Sequence, residues 1–165
     1  MTAVAHDTDP LALERQVCFA LAVTNRAVLA VYRPLLEPLG LTHPQYLVML
    51  ALWDHHRSDR NGRPLSIKEI AAALQLDSAT LSPMLKRLEG LGLITRTRRR
   101  ADERATDVEL TKAGVALRRR ALRIPQAVID RLGVDLDELD RLHTVLTRVN
   151  AAALAAGALD DKDPR

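Results

Sequence analysis

Cys18, the single cysteine of this 165-residue chain, is the residue with most chemistry in it. An accessible thiolate is a nucleophile and a reductant that reacts with peroxides and disulfides, whereas a thiol buried among apolar neighbours is inert. Cys18 lies in Val17-Cys18-Phe19-Ala20-Leu21, an apolar stretch with helical patterning, so a reactive thiol and a small core residue both stand as readings. Being alone, it can form no internal disulfide and no zinc site built on paired cysteines, and it fits a reducing, cytoplasmic setting. About sixty residues further on comes a segment that reads as a DNA-binding unit. A thiol and a DNA reader on one small chain imply a switch, in which chemistry at the first changes occupancy at the second.

The elements that must position these groups are mostly helices. Apolar residues make up 47% of the chain and aromatics only 2%, so the core is built from Leu, Ala, Val and Ile, which suit helices better than sheets. The length fits one domain that needs neither disulfide nor metal, and no cofactor is expected. The opening ten residues lack the basic region and apolar run of a signal peptide, and no uninterrupted run of about 18 apolar residues marks a membrane span. Residues 1–9 are expected to be disordered. A helix over 10–32 starts on Pro10 and ends at Arg33-Pro34, because a residue before proline is pushed out of the helical region. Gly40 closes a short turn over 35–39, and Thr42 with Pro44 opens a helix over 43–56. Residues 57–64, centred on Asn61-Gly62, read as a loop. Ser66-Ile67-Lys68-Glu69 is a capping box for a helix to Leu74, and Asp77 caps the next, over 78–91. Gly92 ends that helix, strands follow over 94–99 and 106–110, a long helix over 111–132 bends at Pro125, and a last helix covers 136–157.

Helix, three-residue turn, helix and hairpin in that order make a winged helix-turn-helix. In its second helix Leu81, Leu85 and Leu88, with Met84 beside them, form the stripe to be buried. Ala79, Ser82, Pro83 and Lys86 project from the other side, where small and short polar residues let a helix approach base edges, while Lys86 and Arg87 reach phosphates. Between Lys86 and Arg104 there are seven basic residues, Arg98 among them, against three acidic ones; that +4 exceeds the +3 of the whole chain, so the remainder is slightly acidic. Segregated positive charge is the footprint of a DNA binder, the alternative being a solvated hairpin used in protein contacts. One such unit makes a small footprint. The first helix and the last two are apolar on more than one face, so the chain is divided into a disordered start (1–9), a dimerisation and sensor helix (10–40), the winged unit (41–111), dimerisation helices (112–158) and a polar tail (159–165). A homodimer would read a pseudo-palindromic double-stranded operator with half-sites about 34–36 Å apart.

Over residues 11–125 the sequence resembles the MarR family of winged-helix regulators, and within it the organic-hydroperoxide-sensing OhrR branch. The resemblance is carried by Gln16-Val17-Cys18-Phe19, Tyr32-Arg33-Pro34-Leu35-Leu36, Pro44-Gln45-Tyr46-Leu47, the run from Leu76 to Arg87 containing Thr80-Leu81-Ser82-Pro83-Met84-Leu85-Lys86-Arg87, and Gly92-Leu93-Ile94-Thr95-Arg96. Asp102-Glu103-Arg104 followed by Leu110-Thr111 completes it, although that wing is general to the wider family. The resemblance implies that Cys18 is a peroxide-sensing thiol, that the reduced dimer represses a gene for a thiol peroxidase, and that oxidation releases the DNA. It implies that Ser78, Ala79, Thr80 and Lys86 lie on the major-groove helix, that Arg104 enters the minor groove with Asp102 positioning it, and that Tyr32 hydrogen-bonds the sensing cysteine. Cys18 and Tyr32 are 14 positions apart on one predicted helix, about 21 Å, so a supporting tyrosine must come from the other subunit; otherwise Tyr32 simply caps the helix end. The sequence departs from the pattern where His43 and Ala22 replace two tyrosines. His43 either hydrogen-bonds the thiolate or faces solvent at the start of its helix.

The resulting mechanism has a Cys18 thiolate attack an organic or lipid hydroperoxide and become a sulfenic acid, which is capped by a low-molecular-weight thiol, cyclises to a sulfenamide or overoxidises. The rivals are a MarR-type repressor released by a small apolar or phenolic ligand, with Cys18 structural; a peroxidase, for which no catalytic pairing surrounds the thiol; and an architectural DNA binder that responds to nothing.

Overall fold

The computed structural model describes residues 9–59, 62–99 and 102–159, with the backbone alone at 102–104. The expectations for residues 1–8, for Asn61 and for the tail beyond 159 lie outside the described residues. A 3-10 turn at Leu13–Arg15 leads into α1 (Val17–Leu36). There follow α2 (His43–Ser58), β1 (Leu65–Ser66), α3 (Ile67–Leu74), α4 (Ser78–Gly90), β2 (Ile94–Arg99), β3 (Asp102–Leu110), α5 (Lys112–Ala121), α6 (Ile124–Leu132) and α7 (Leu136–Ala155).

Local chemistry accounts for the helix starts. At Ser66 the backbone amide donates to Glu69 Oε2 at 2.8 Å, and the Glu69 amide donates back to Ser66 Oγ at 3.2 Å. Thr42 and Gln45 form the same reciprocal pair at the head of α2, and the Thr111 hydroxyl caps α5 through the Gly114 amide at 3.0 Å. Gly92, at φ 70°, lets the chain reverse after α4 so that the Leu93 amide reaches the Leu88 carbonyl at 3.1 Å.

The core lies in the central unit. Val48, Met49, Ile70, Leu81, Leu85, Leu88, Ile94 and Val108 are completely buried, drawn from α2, α3, α4 and both long strands. The sheet is antiparallel in the order β1-β3-β2, with Ile94 opposite Leu110 and Leu65 opposite Val108. Trp53 Nε1 donates to the Gly114 carbonyl at 2.8 Å, tying α2 to α5. Toward the ends of the chain burial stops: α1 buries only Leu36, and α7 buries nothing.

Three expectations are corrected. The first helix does not begin at Pro10 or stop at Arg33-Pro34; it starts at Val17 and runs through Pro34 to Leu36. Leu36 is fully buried and Val31, Tyr32 and Leu35 pack on the core, so burial outweighs the one backbone hydrogen bond that Pro34 cannot make near the helix end. The helix expected over 111–132 is two helices, broken at Leu122-Arg123 rather than bent at Pro125. Proline is tolerated in a first turn and excludes a carbonyl four residues earlier, which moves the break upstream of the proline itself. The second wing strand begins at Asp102 rather than Thr106, and β1, absent from the sequence reading, adds a third strand.

Candidate nucleic-acid interface and thiol site

α4 divides as its sequence pattern predicts. Leu81, Leu85 and Leu88 are buried, Met84 is half-buried, and Ser78, Ala79, Thr80, Ser82, Pro83, Lys86 and Arg87 are exposed on the outer face. Asp77 fixes the start of this helix by accepting the Thr80 amide at 2.7 Å and the Thr80 hydroxyl at 2.8 Å. These bonds, the amide first, hold the Asp77 carboxyl below its usual range. Ser82 Oγ donates to the Ser78 carbonyl at 2.7 Å. The protons of both hydroxyls are therefore engaged inside the protein, and what Thr80 and Ser82 offer outward is lone pairs.

The basic residues of the wing fall into two groups that the sequence does not distinguish. Arg96 is bound to Glu89 through Nε at 2.9 Å and Nη2 at 2.6 Å, and its backbone amide donates to the same carboxylate at 3.2 Å. This clamp fastens β2 to the last turn of α4 and holds the Glu89 carboxyl below its usual range, chiefly through the Arg96 side chain. Arg99 pairs across the hairpin with Asp107, through Nη2 at 2.5 Å and Nε at 3.1 Å. Lys86, Arg87 and Arg98 are exposed, with no ion-pair partner among the described residues. Opposite charges flank the turn Gly90-Leu91-Gly92 in the sequence, but nothing there says which wing arginine Glu89 takes. Asp102 and Arg104 lie on β3, but their side chains fall outside what the structure describes.

Cys18 is exposed, in the first turn of α1, where helix amides lack intrahelical partners. Leu11, Leu13, Val17 and Leu21 around it are exposed as well, so within a single chain Cys18 belongs to no core. Tyr32 and His43 meet edge to face, with ring centroids 4.9 Å apart and planes at 69°, and Tyr46 lies 6.1 Å from Tyr32. His43 is thus half-buried against Tyr32 rather than turned to solvent. Burial lowers the His43 pKa below its ordinary 6.5 and raises that of Tyr32, so both are neutral at pH 7, and the Tyr32 hydroxyl carries a proton to donate. α1 is unbroken from Cys18 to Tyr32, which separates them by about 21 Å along its axis. The chain brings Tyr32 and His43 together, but not with Cys18. The segment Val17–Leu39, at mean hydropathy 1.2, is long and apolar enough to cross a membrane by length and composition alone; Asn25, Arg26 and Arg33 interrupt it.

A helix-turn-helix whose second helix presents short polar side chains, braced by a three-stranded wing, is the reading head of a winged-helix transcriptional regulator. The family model for the transcriptional regulators SarA/Rot matches residues 30–119. The organic hydroperoxide resistance transcriptional regulator of Bacillus subtilis (strain 168) is 42% identical over 142 residues, covering 84% of this chain and 92% of that protein. Reduced AbfR bound to DNA superposes with a TM-score of 0.75 at 29% identity, over 90% of this chain and 97% of that one. The disulfide form of AbfR gives 0.57 at 31% identity, over 87% and 91%. The chain belongs to the MarR family of transcriptional regulators, in the branch of the organic hydroperoxide resistance regulators.

Proposed function

We propose that this regulator is a homodimeric repressor that releases its operator when an organic hydroperoxide oxidises Cys18, derepressing a peroxide-detoxifying gene. The observation that carries this reading is the separation of Cys18 from the Tyr32–His43 pair. Each half lies exposed or half-buried, and because α1 holds Tyr32 about 21 Å from Cys18 along its axis, a Tyr32 hydroxyl can serve the thiol only if a second copy supplies it. The exposed apolar side chains of α7, Leu142, Val145, Leu146 and Val149, supply a surface for that second copy, with those of the amino-terminal segment. The AbfR relative, solved both reduced on DNA and in a disulfide form, supports a redox reading of the fold.

The Cys18 thiolate attacks the outer peroxide oxygen; an S–O bond forms, the O–O bond breaks, sulfur is oxidised, and the alkoxide leaves as an alcohol after taking up a proton. The sulfenic acid product condenses with a low-molecular-weight thiol to a mixed disulfide and water. Apolar neighbours favour organic over hydrogen peroxide. On the DNA side, Ser78, Ala79, Thr80 and Ser82 read the major groove, Lys86, Arg87 and Arg98 bind phosphates, and Arg104, set by Asp102, enters the minor groove.

A second reading rests on a cleft between α2 and the α5–α6 break, where Tyr46, Trp53 and Leu122 give apolar walls and Arg57 and Arg118, beside Asp54, leave one net positive charge for a small apolar or phenolic ligand. Operator binding before and after one equivalent of hydroperoxide, for wild type and Cys18→Ser at fixed salt, separates the two. Loss of binding in the wild type alone, reversed by dithiothreitol, is the expected result. Two proteins that both stay bound overturn the redox reading.

A further inference from the structure

Two non-glycine residues among the described residues have a positive φ: Gln75 at 53° and Leu159 at 67°. Far apart in sequence, they line one cleft between the α3–α4 turn and the end of α7, together with Ala71, Ala72, Leu76 and Leu154. A left-handed backbone is disfavoured for any residue carrying a Cβ, and glycine is its usual occupant just past a helix end. Such conformations persist where the surroundings hold them. At Gln75 the side chain that glycine would lack is in use: its Oε1 accepts a hydrogen bond from Asn150 Nδ2 at 3.2 Å. Gln75 ends α3 and stands two residues before Asp77, the cap of α4, whereas Asn150 sits on α7, a helix with no buried residue. The carboxy-terminal helix thus touches the reading head at the turn that sets the angle between its two helices.

We infer that Gln75 and Asn150 are positioning residues for operator binding, their contact holding the helix-turn-helix at a fixed angle to α7 so that the head is ordered before it meets DNA. This rests on the reading of α7 as part of the dimerisation region. A head already held in place gives up less freedom on binding than one that swings.

The test is operator binding at one salt concentration by wild type, Gln75→Gly, Asn150→Ala and the double variant, with thermal melts and sedimentation of the same samples. Each single change should weaken binding about three- to tenfold, the scale of one hydrogen bond, and the double variant should bind no worse than the weaker single. Gln75→Gly should melt no lower than wild type, since glycine relieves the left-handed backbone. Asn150→Ala separates positioning from direct contact between Gln75 and DNA, because it changes another helix. Singles that bind as tightly as wild type, or losses that multiply in the double variant, overturn the inference. A wild type that sediments as a monomer on the operator removes the dimer reading instead, and the cycle still reports on the contact.

Discussion

Strand β2 carries two arginines that a charge count treats alike and the structure does not. Arg96 spends its charge on Glu89, whereas Arg98 stands exposed with no partner among the described residues. Each phosphate neutralised by a protein cation contributes about 0.9 to the slope of log affinity against log salt. Arg98→Gln should therefore lower that slope by about 0.9, so that its penalty relative to wild type is about 3.5-fold larger at 50 mM salt than at 200 mM. Replacing Arg96 and Glu89 together by Gln removes the clamp and no net charge. That variant should keep the wild-type slope, bind more weakly by the same factor at every salt concentration because β2 is no longer fastened to α4, and melt lower by no more than about 4 °C. Fluorescence anisotropy of a labelled operator across a salt series reads both quantities. The assignment is refuted if removing the Arg96–Glu89 pair reduces the slope as much as Arg98→Gln does.

Three further outcomes are expected. His43→Phe keeps a ring against Tyr32 but removes the ring nitrogens; it should slow the loss of the Cys18 thiol under hydroperoxide, followed by thiol titration, and leave operator binding by the reduced protein unchanged. The Glu69 carboxyl is held at about 2, first by the Ser66 amide, then by the Ser66 hydroxyl and Arg63. Because that folded value lies below the ordinary 4.5, the stabilisation is complete above pH 4.5 and drains away as pH falls toward 2, so melts of wild type and Glu69→Gln should converge over that window. A Cβ at Gly114 would stand 2.1 Å from the Leu93 carbonyl oxygen, so Gly114→Ala, despite better helix propensity, should destabilise by roughly 1–3 kcal/mol, read by denaturant unfolding.

What was legible in the sequence was what short-range chemistry decides. Ser66 with Glu69, and Asp77 ahead of Ser78, mark helix starts because each satisfies amides within three residues of itself. The leucine stripe of α4 was equally plain, since burial imposes a helical period. What escaped depends on partners distant in sequence. β1 is two residues long and exists because Leu65 finds Val108; α1 continues past Pro34 because Leu36 finds the core. The candidate site divides in the same way. The outward residues of α4 follow from periodicity, and the separation of Tyr32 from Cys18 along α1 follows from helix rise. No local rule says that His43 leans on Tyr32, or which arginines of the wing are already taken.

The engaged hydroxyls at the head of α4 carry a consequence for operator sequence. Thr80 donates to Asp77 and Ser82 to the Ser78 carbonyl, so each hydroxyl can accept a hydrogen bond and has none to donate. In the major groove, adenine and cytosine present amino groups, while guanine and thymine present carbonyl oxygens at the corresponding edge. If these two residues face bases as proposed, then for as long as the internal bonds persist on DNA the amino groups of A and C can pair with them and the carbonyl oxygens of G and T cannot. The letters of a half-site would then be written in part by where two hydroxyl protons point in the protein before any DNA arrives.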